Sequence, residues 1–160
     1  MKTDTMKKIL IALDYNLTAQ KVAESGFSIS KALGAEVILL HIIADATYYT
    51  EIEYTQRIGF MGLSAHEAFH LFDDGLNKAM KQFLDKSKDH LGDETTITLV
   101  KEGDFAESIL KTAKDLHCDI IVMGSHSRKW MEDIIMGSVT EKVLHSTSIP
   151  LIIIPTKRHK

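Results

Sequence analysis

Apolar runs that do not alternate constrain this chain more than any other feature. They are Ile9-Leu10-Ile11-Ala12-Leu13, Val37-Ile38-Leu39-Leu40, Ile120-Ile121-Val122 and Leu151-Ile152-Ile153-Ile154. A strand with one wet face alternates apolar and polar residues; a strand buried on both faces does not. Uninterrupted runs therefore point to a parallel sheet covered by helices on each side.

The segments between the runs supply the helices. Lys8 to Asp14 reads as strand one. Thr18 to Leu33 has apolar positions at Val22, Phe27, Ile29 and Leu33, and Gly34 fits a helix stop. Glu36 to Ile43 is strand two. Residues 44–63 are irregular, carrying Tyr48, Tyr49, Tyr54, Phe60 and Met61. Such a stretch is either a lid or binding loop, or a poorly ordered insertion. Ser64 to Leu91 is a long helical pattern through Phe69, Leu76, Met80, Phe83 and Leu84, opened by a Ser64/Glu67 capping box. Thr95 to Lys101 alternates and is expected to be a half-exposed edge strand. Asp104 with Glu107 caps a helix through His117. Cys118 to Gly124 is strand four. Ser138 with Glu141 makes a capping box for a helix to Ser146, and 151–154 is strand five.

This order predicts an α/β fold: a doubly wound, five-stranded parallel sheet with helices on both faces. Strands one and four are the most continuously apolar, which makes them central neighbours and gives the order 3-2-1-4-5. Open sheets of this kind bind ligands beyond the strand carboxyl ends at the switch point. Asp14 and Gly124 stand at those two ends.

Composition narrows the function classes. Of 160 residues, 44% are hydrophobic, enough for one domain with a core, over 1–160 with residues 1–6 as a frayed leader. The net charge of −3 argues against nucleic acid. No run reaches a membrane span, and Asp14 ends the first run too soon for a signal peptide, so a cytoplasmic protein is expected. The lone Cys118 excludes a disulfide framework and reads as a buried, inert thiol. Strand five, uncharged and at the sheet edge, invites pairing unless covered. A homodimer through 151–154 is the simplest cover; loops or the basic tail 157–160 are the other.

The stretch from Met123 to Glu141 holds the best candidate site. A strand exits at Gly124, and Gly137-Ser138 opens a helix. Unpaired amides and the macrodipole make such a helix start attractive to phosphate. Each residue also has a structural reading: Gly124 as a tight strand exit, Ser138 as half of a capping box, Asp14 (or Asn16 or Thr18) as the cap of helix one.

With strand one ending Ala12-Leu13-Asp14, strand two ending Leu40-His41-Ile42, and Met123-Gly124-Ser125-His126 leading to Gly137-Ser138-Val139-Thr140-Glu141, the chain resembles the universal stress protein family. The resemblance covers nearly the whole chain. It implies an adenine nucleotide alpha hydrolase-like fold and, in the ATP-binding branch, the nucleotide motif G-x2-G-x9-G-[ST]. Gly124 and Gly137-Ser138 keep its spacing; Ser127 replaces its middle glycine. Carried over residue by residue, the resemblance sets Asp14 against the adenosine and Leu13 and Ile42 at the base, partly through backbone. Met123, Gly124 and Ser127 lie along ribose and phosphates, and Gly137, Ser138 and Val139 offer amides. Arg128 either pairs with phosphate or is a solvated surface residue. The implied ligand is ATP or AMP, with or without Mg²⁺. The implied role is a dimeric stress-response or signalling module with a possible protein partner, and at most weak hydrolysis, since no base, nucleophile or P-loop lysine is assembled. The other expectation is a dimeric interaction module that has lost the nucleotide, with Ser127 as its mark.

His66-Glu67-Ala68-Phe69-His70 matches H-E-x-x-H, the zinc-protease pattern. Three features oppose catalysis there. Glu67 belongs to a capping box, the first turn of a helix disfavours a cation, and no third ligand follows. Adventitious metal binding by His66 and His70 is the stronger form of that reading. His126, beside the proposed phosphates, needs no catalytic role.

Overall fold

The structure, a computed structural model, describes residues 7–16, 18–44, 74–125 and 136–156. Its elements are β1 (Lys8–Ala12), α1 (Ala19–Leu33), β2 (Glu36–Ile43), α2 (Asp74–Leu91), β3 (Ile97–Glu102), α3 (Phe105–Asp115), β4 (Ile120–Gly124), α4 (Ser138–Ser146) and β5 (Leu151–Ile154). The sheet order is β3-β2-β1-β4-β5, with every neighbouring pair parallel. This is the expected order 3-2-1-4-5. Residues 1–6, the 44–63 segment apart from Ala44, the expected helical turns 64–73 with His66 and His70, and the tail 157–160 lie outside the described residues.

The apolar runs behave as their pattern demands. Leu10, Ile38, Leu40, Ile121 and Met123 pack on one side with Ala106, Ile109 and Ala113 of α3 and Val143 of α4. Ile9, Ile11, Val37, Leu39 and Val122 pack on the other side with Val22 and Ala23 of α1 and Leu84 of α2. Alternate residues of one strand enter opposite cores, so neither face can be polar. Ile9, Leu10, Ile11 and Ile121 are wholly inaccessible to solvent. Each such side chain contributes on the order of 1.5–3 kcal/mol of hydrophobic free energy. Helix α1 approaches the sheet closely at Gly26, where a Cβ would lie 2.7 Å from Ile11 Cδ1.

The boundaries differ from expectation in informative ways. β1 ends at Ala12, not Asp14, yet Leu13 still donates to Leu40 O at 2.8 Å. β3 begins at Ile97 rather than Thr95, and β4 at Ile120 rather than Cys118. α3 stops at Asp115, not His117, because His117 takes φ 55°, a left-handed conformation that a helix cannot contain. Its other end is as expected: Asp104 Oδ2 accepts from Glu107 N–H at 3.0 Å. Cys118 is buried, and burial pushes its thiol pKa up.

β3 is an edge strand as its alternation predicts, but Thr98 within it and Thr96 just before it face inward. Thr96 and Thr98 are buried while Ile97 is 49% exposed. Helix α2 supplies the polar partners that permit this at Thr98. Thr98 Oγ1 donates to Asp85 Oδ1 at 2.7 Å, and Lys81 Nζ reaches both Thr98 O, at 2.9 Å, and Thr98 Oγ1. Lys81 also stands 3.4 Å from Asp85.

α2 docks through Leu84, Met80 and Leu76, with Leu84 fully buried against the β1–β2 face. Leu84→Ala is expected to lower unfolding free energy by about 2–5 kcal/mol, read as a drop in urea midpoint at unchanged slope.

Candidate functional site

The chain leaves β1 for α1 and β2 on one side, and leaves β4 for α4 and β5 on the other. The β1 and β4 carboxyl ends are therefore adjacent while their onward connections diverge, with Ile11 level with Val122 in the register. A crevice opens there in doubly wound sheets.

Ser125, the residue after β4, ties three segments together. Its N–H donates to Ile154 O at 2.9 Å, its carbonyl accepts from Gly137 N–H at 3.0 Å, and its Oγ accepts from Thr156 N–H at 3.0 Å. The buried Thr140 adds a fourth bond, Oγ1 to Gly124 O at 2.9 Å. The start of α4 is thereby clamped directly onto the end of β4, whatever path the intervening residues take.

The expected Ser138/Glu141 capping box is not what the structure has. Gly137 is the N-cap, with φ −70° and ψ 155°, and Ser138 is the first helical residue. A residue at that position already has helical dihedrals, so its side chain cannot serve as the N-cap. The first helical bond runs from Glu141 N–H to Gly137 O at 2.9 Å. The amides of Ser138, Val139 and Thr140 then have no acceptor within the helix. Ser138 is exposed and Val139 half-buried, while Gly137 is buried.

Gly124 is a glycine for reasons of space. A Cβ there would meet Val22 Cγ2 at 2.8 Å and Thr156 Cγ2 at 3.2 Å. Its backbone is not left-handed, so close approach, and not conformational freedom, selects it.

At the other strand end, Asp14 is exposed, and its Oδ1 accepts from Tyr15 N–H at 3.0 Å. Asn16 Oδ1 takes both Thr18 N–H, at 2.9 Å, and Thr18 Oγ1, at 2.6 Å, at the entry to α1. Tyr15 folds back onto Phe83 of α2, with ring centroids 4.9 Å apart at 75°. Leu13, Ile42 and Met123 are all buried, with side chains committed to the core: Leu13 on the α1–α2 side, Ile42 and Met123 on the α3–α4 side. What these three can offer a ligand is main chain. Ser127 and Arg128, with His126, lie outside the described residues.

Beneath the β1 end lies a group the sequence reading leaves unassigned. His41, on β2, is 4% exposed, and its Nδ1 is 2.8 Å from Leu13 O. The carbonyl can only accept, so Nδ1 carries a proton in this bond. Burial pushes its pKa below the usual 6.5, opposed by the Leu13 bond and the Asp14 charge. Ser125, Thr140 and Thr156 were equally unmarked, because a hydroxyl residue beside a strand end has no local signature. His41 carried one signal: a polar ring inside an otherwise aliphatic strand.

Among the described residues, no group of three or more His, Cys, Asp or Glu is placed to hold a metal ion, and no helix is long and apolar enough to cross a membrane.

The profile of the universal stress protein family matches residues 5–155. Universal stress protein MJ0577 of Methanocaldococcus jannaschii is 30% identical over 155 residues, covering 94% of this chain and 96% of that protein. A solved structure of MJ0577 matches with a TM-score of 0.70 at 27% identity, over 96% of this chain and 98% of that one. The chain belongs to the universal stress protein family. Two more distant neighbours share the fold. One is a universal stress protein solved in complex with cAMP, with 12% identity, a TM-score of 0.63, and coverage of 96% of this chain and 100% of that one. The other is the Archaeoglobus fulgidus protein in complex with dAMP, with 19% identity, a TM-score of 0.60, and coverage of 95% and 99%.

The His41 pKa has a stability consequence. Above pH 6.5 the ring is neutral whether folded or unfolded, and stability is full. Below 6.5 the unfolded chain takes up a proton that the folded ring resists, so stability falls with pH until the folded ring also protonates. The urea midpoint is expected to fall between pH 7 and pH 5 by more in the wild type than in His41→Asn.

Proposed function

We propose that the chain binds an adenine nucleotide, ATP or AMP, at the β1 and β4 carboxyl ends and acts in the cytoplasm as a dimeric stress-response or signalling module. The observation that carries this reading is the start of α4. It is clamped by Ser125 and Thr140 onto β4, and it keeps the Ser138, Val139 and Thr140 amides without helical acceptors at the switch point. Fold neighbours solved in complex with cAMP and with dAMP support it as proteins of this fold that hold adenine nucleotides.

In this reading Asp14 takes the adenosine, and Leu13 and Ile42 meet the base along the main chain. Met123, Gly124 and Ser127 line ribose and phosphates, Arg128 offers charge to the phosphates, and Gly137, Ser138 and Val139 hold them. The open amides fit a phosphate, which needs donors and positive potential more than side chains. Bound Mg²⁺ would supply charge neutralisation on the phosphates. The chain's own part is holding and orienting, with hydrolysis weak at most.

Gly124 favours a second reading, that of an interaction module without nucleotide. Val22 and Thr156 alone require a glycine there, so its presence does not depend on a ligand. Calorimetric titration with ATP, AMP and Mg²⁺ separates the two: binding is expected in the micromolar to millimolar range, and silence up to millimolar ATP sinks the first reading. If Ser127 merely occupies the glycine position, Ser127→Gly tightens ATP binding; weakening assigns its hydroxyl a hydrogen bond to the ligand.

The dimer is proposed through β5, whose Leu151, Ile152 and Ile153 are only half-buried at the sheet edge. Sedimentation is expected to give a dimer at micromolar concentration and a monomer for Ile153→Lys. A wild-type monomer, or an unchanged mass in the variant, refutes this interface.

A further inference from the structure

His41 is a buried polar ring in an otherwise aliphatic strand, and a buried ring nitrogen costs free energy unless it is bonded. Its bond to Leu13 O falls where β1 and β2 stop pairing. In a parallel pair, a residue donates to one residue of its neighbour and accepts from the residue two further on. Leu13 N–H donates to Leu40 O at 2.8 Å. Continuing the ladder would have Ile42 N–H donate to Leu13 O. The pairing ends instead at Ala12 with Leu40, and the imidazole holds the Leu13 carbonyl at 2.8 Å.

We propose that His41 is a positioning residue that takes the Leu13 carbonyl out of the β1–β2 ladder, and so leaves the Ile42 N–H directed at the crevice as a donor for the ligand's base. The functional half of this inference rests on the nucleotide reading above. Leu40 O already points from β2 toward β1, and residues two apart on a strand share a side, so the Ile42 N–H points toward the β1 end as well. Asp14, the residue after Leu13, stands just past that end, exposed. A hydrogen-bond donor there suits the ring nitrogens of a purine, which are acceptors. His41 also stacks edge-on toward Phe83, centroids 6.3 Å apart at 83°, and Phe83 meets Tyr15. The imidazole is thus braced on its far side by the same α2 ring that holds the turn after Asp14.

Two variants separate this role from simple core filling. His41→Leu fills the space without a donor; His41→Asn keeps a donor where Nδ1 stood. NMR reads the ladder through the scalar coupling between Ile42 N and Leu13 C′, and calorimetry reads ATP affinity. The wild type is expected to show a protonated Nδ1 and no Ile42–Leu13 coupling. In His41→Leu the coupling appears and ATP binds about tenfold more weakly, the worth of one hydrogen bond. His41→Asn returns both readings to near wild type. Loss of packing alone would not create a new hydrogen bond, nor be rescued by asparagine. An Ile42–Leu13 coupling in the wild type, or wild-type ATP affinity in His41→Leu, overturns the inference. Should His41→Leu fail to fold, the wild-type coupling and His41→Asn still decide it. Should the wild type bind no ATP, the nucleotide reading falls together with the ligand role of Ile42, and the couplings alone judge the ladder.

Discussion

Burial of β1 and β4 on both faces is the constraint from which the remaining architecture follows. With Ile9, Leu10, Ile11, Ile121 and Val122 sealed between two helical layers, none of these side chains can meet a solvent-borne ligand. Polar chemistry is left to the strand ends, where the backbone leaves the sheet and its groups must find other partners. Asp14, Gly124 and the start of α4 collect there because the topology sends β1 and β4 onward in opposite directions.

What turns that gathering into a site is a small set of hydroxyl and main-chain bonds. Ser125 spends its amide on β5, its carbonyl on Gly137 and its hydroxyl on Thr156. Thr140 holds the Gly124 carbonyl. These bonds satisfy the strand exit and the N-cap amide, and they leave the next three amides of α4 without helical acceptors. On the β1 side the comparable arrangement is the buried His41 bond to Leu13. Both devices end a regular hydrogen-bond pattern at a chosen residue. Each leaves the group where the pattern stops with a partner, Gly137 N–H on Ser125 O and Leu13 O on the His41 ring.

Much of the fold was legible in the chain, for physical reasons that differ between elements. Central strands announce themselves because two-sided burial excludes polar residues. Asp104 announced its helix because an N-cap needs a short acceptor followed three residues on by a partner. The same logic misled at Ser138, where serine and glutamate at capping-box spacing lie one residue inside the helix and Gly137 is the cap. It was incomplete at β3, where alternation was real but the buried position is Thr98, with α2 supplying Asp85 and Lys81 there. The candidate site was legible in position alone: Asp14 lies two residues past β1, Gly124 ends β4 and Gly137 is the N-cap of α4. Its scaffold was not, since Ser125, Thr140, Thr156 and His41 act through partners distant in sequence.

The sequence by itself determined the α/β class and the central pair of strands, because hydrophobic periodicity is local and burial is its direct cause. Only the tertiary structure decided how the strand ends are packed and bonded. Gly124 is a glycine because Val22 and Thr156 crowd it, and Leu13 accepts from a histidine on the next strand. Those outcomes depend on contacts between residues far apart in the chain, which no local pattern encodes.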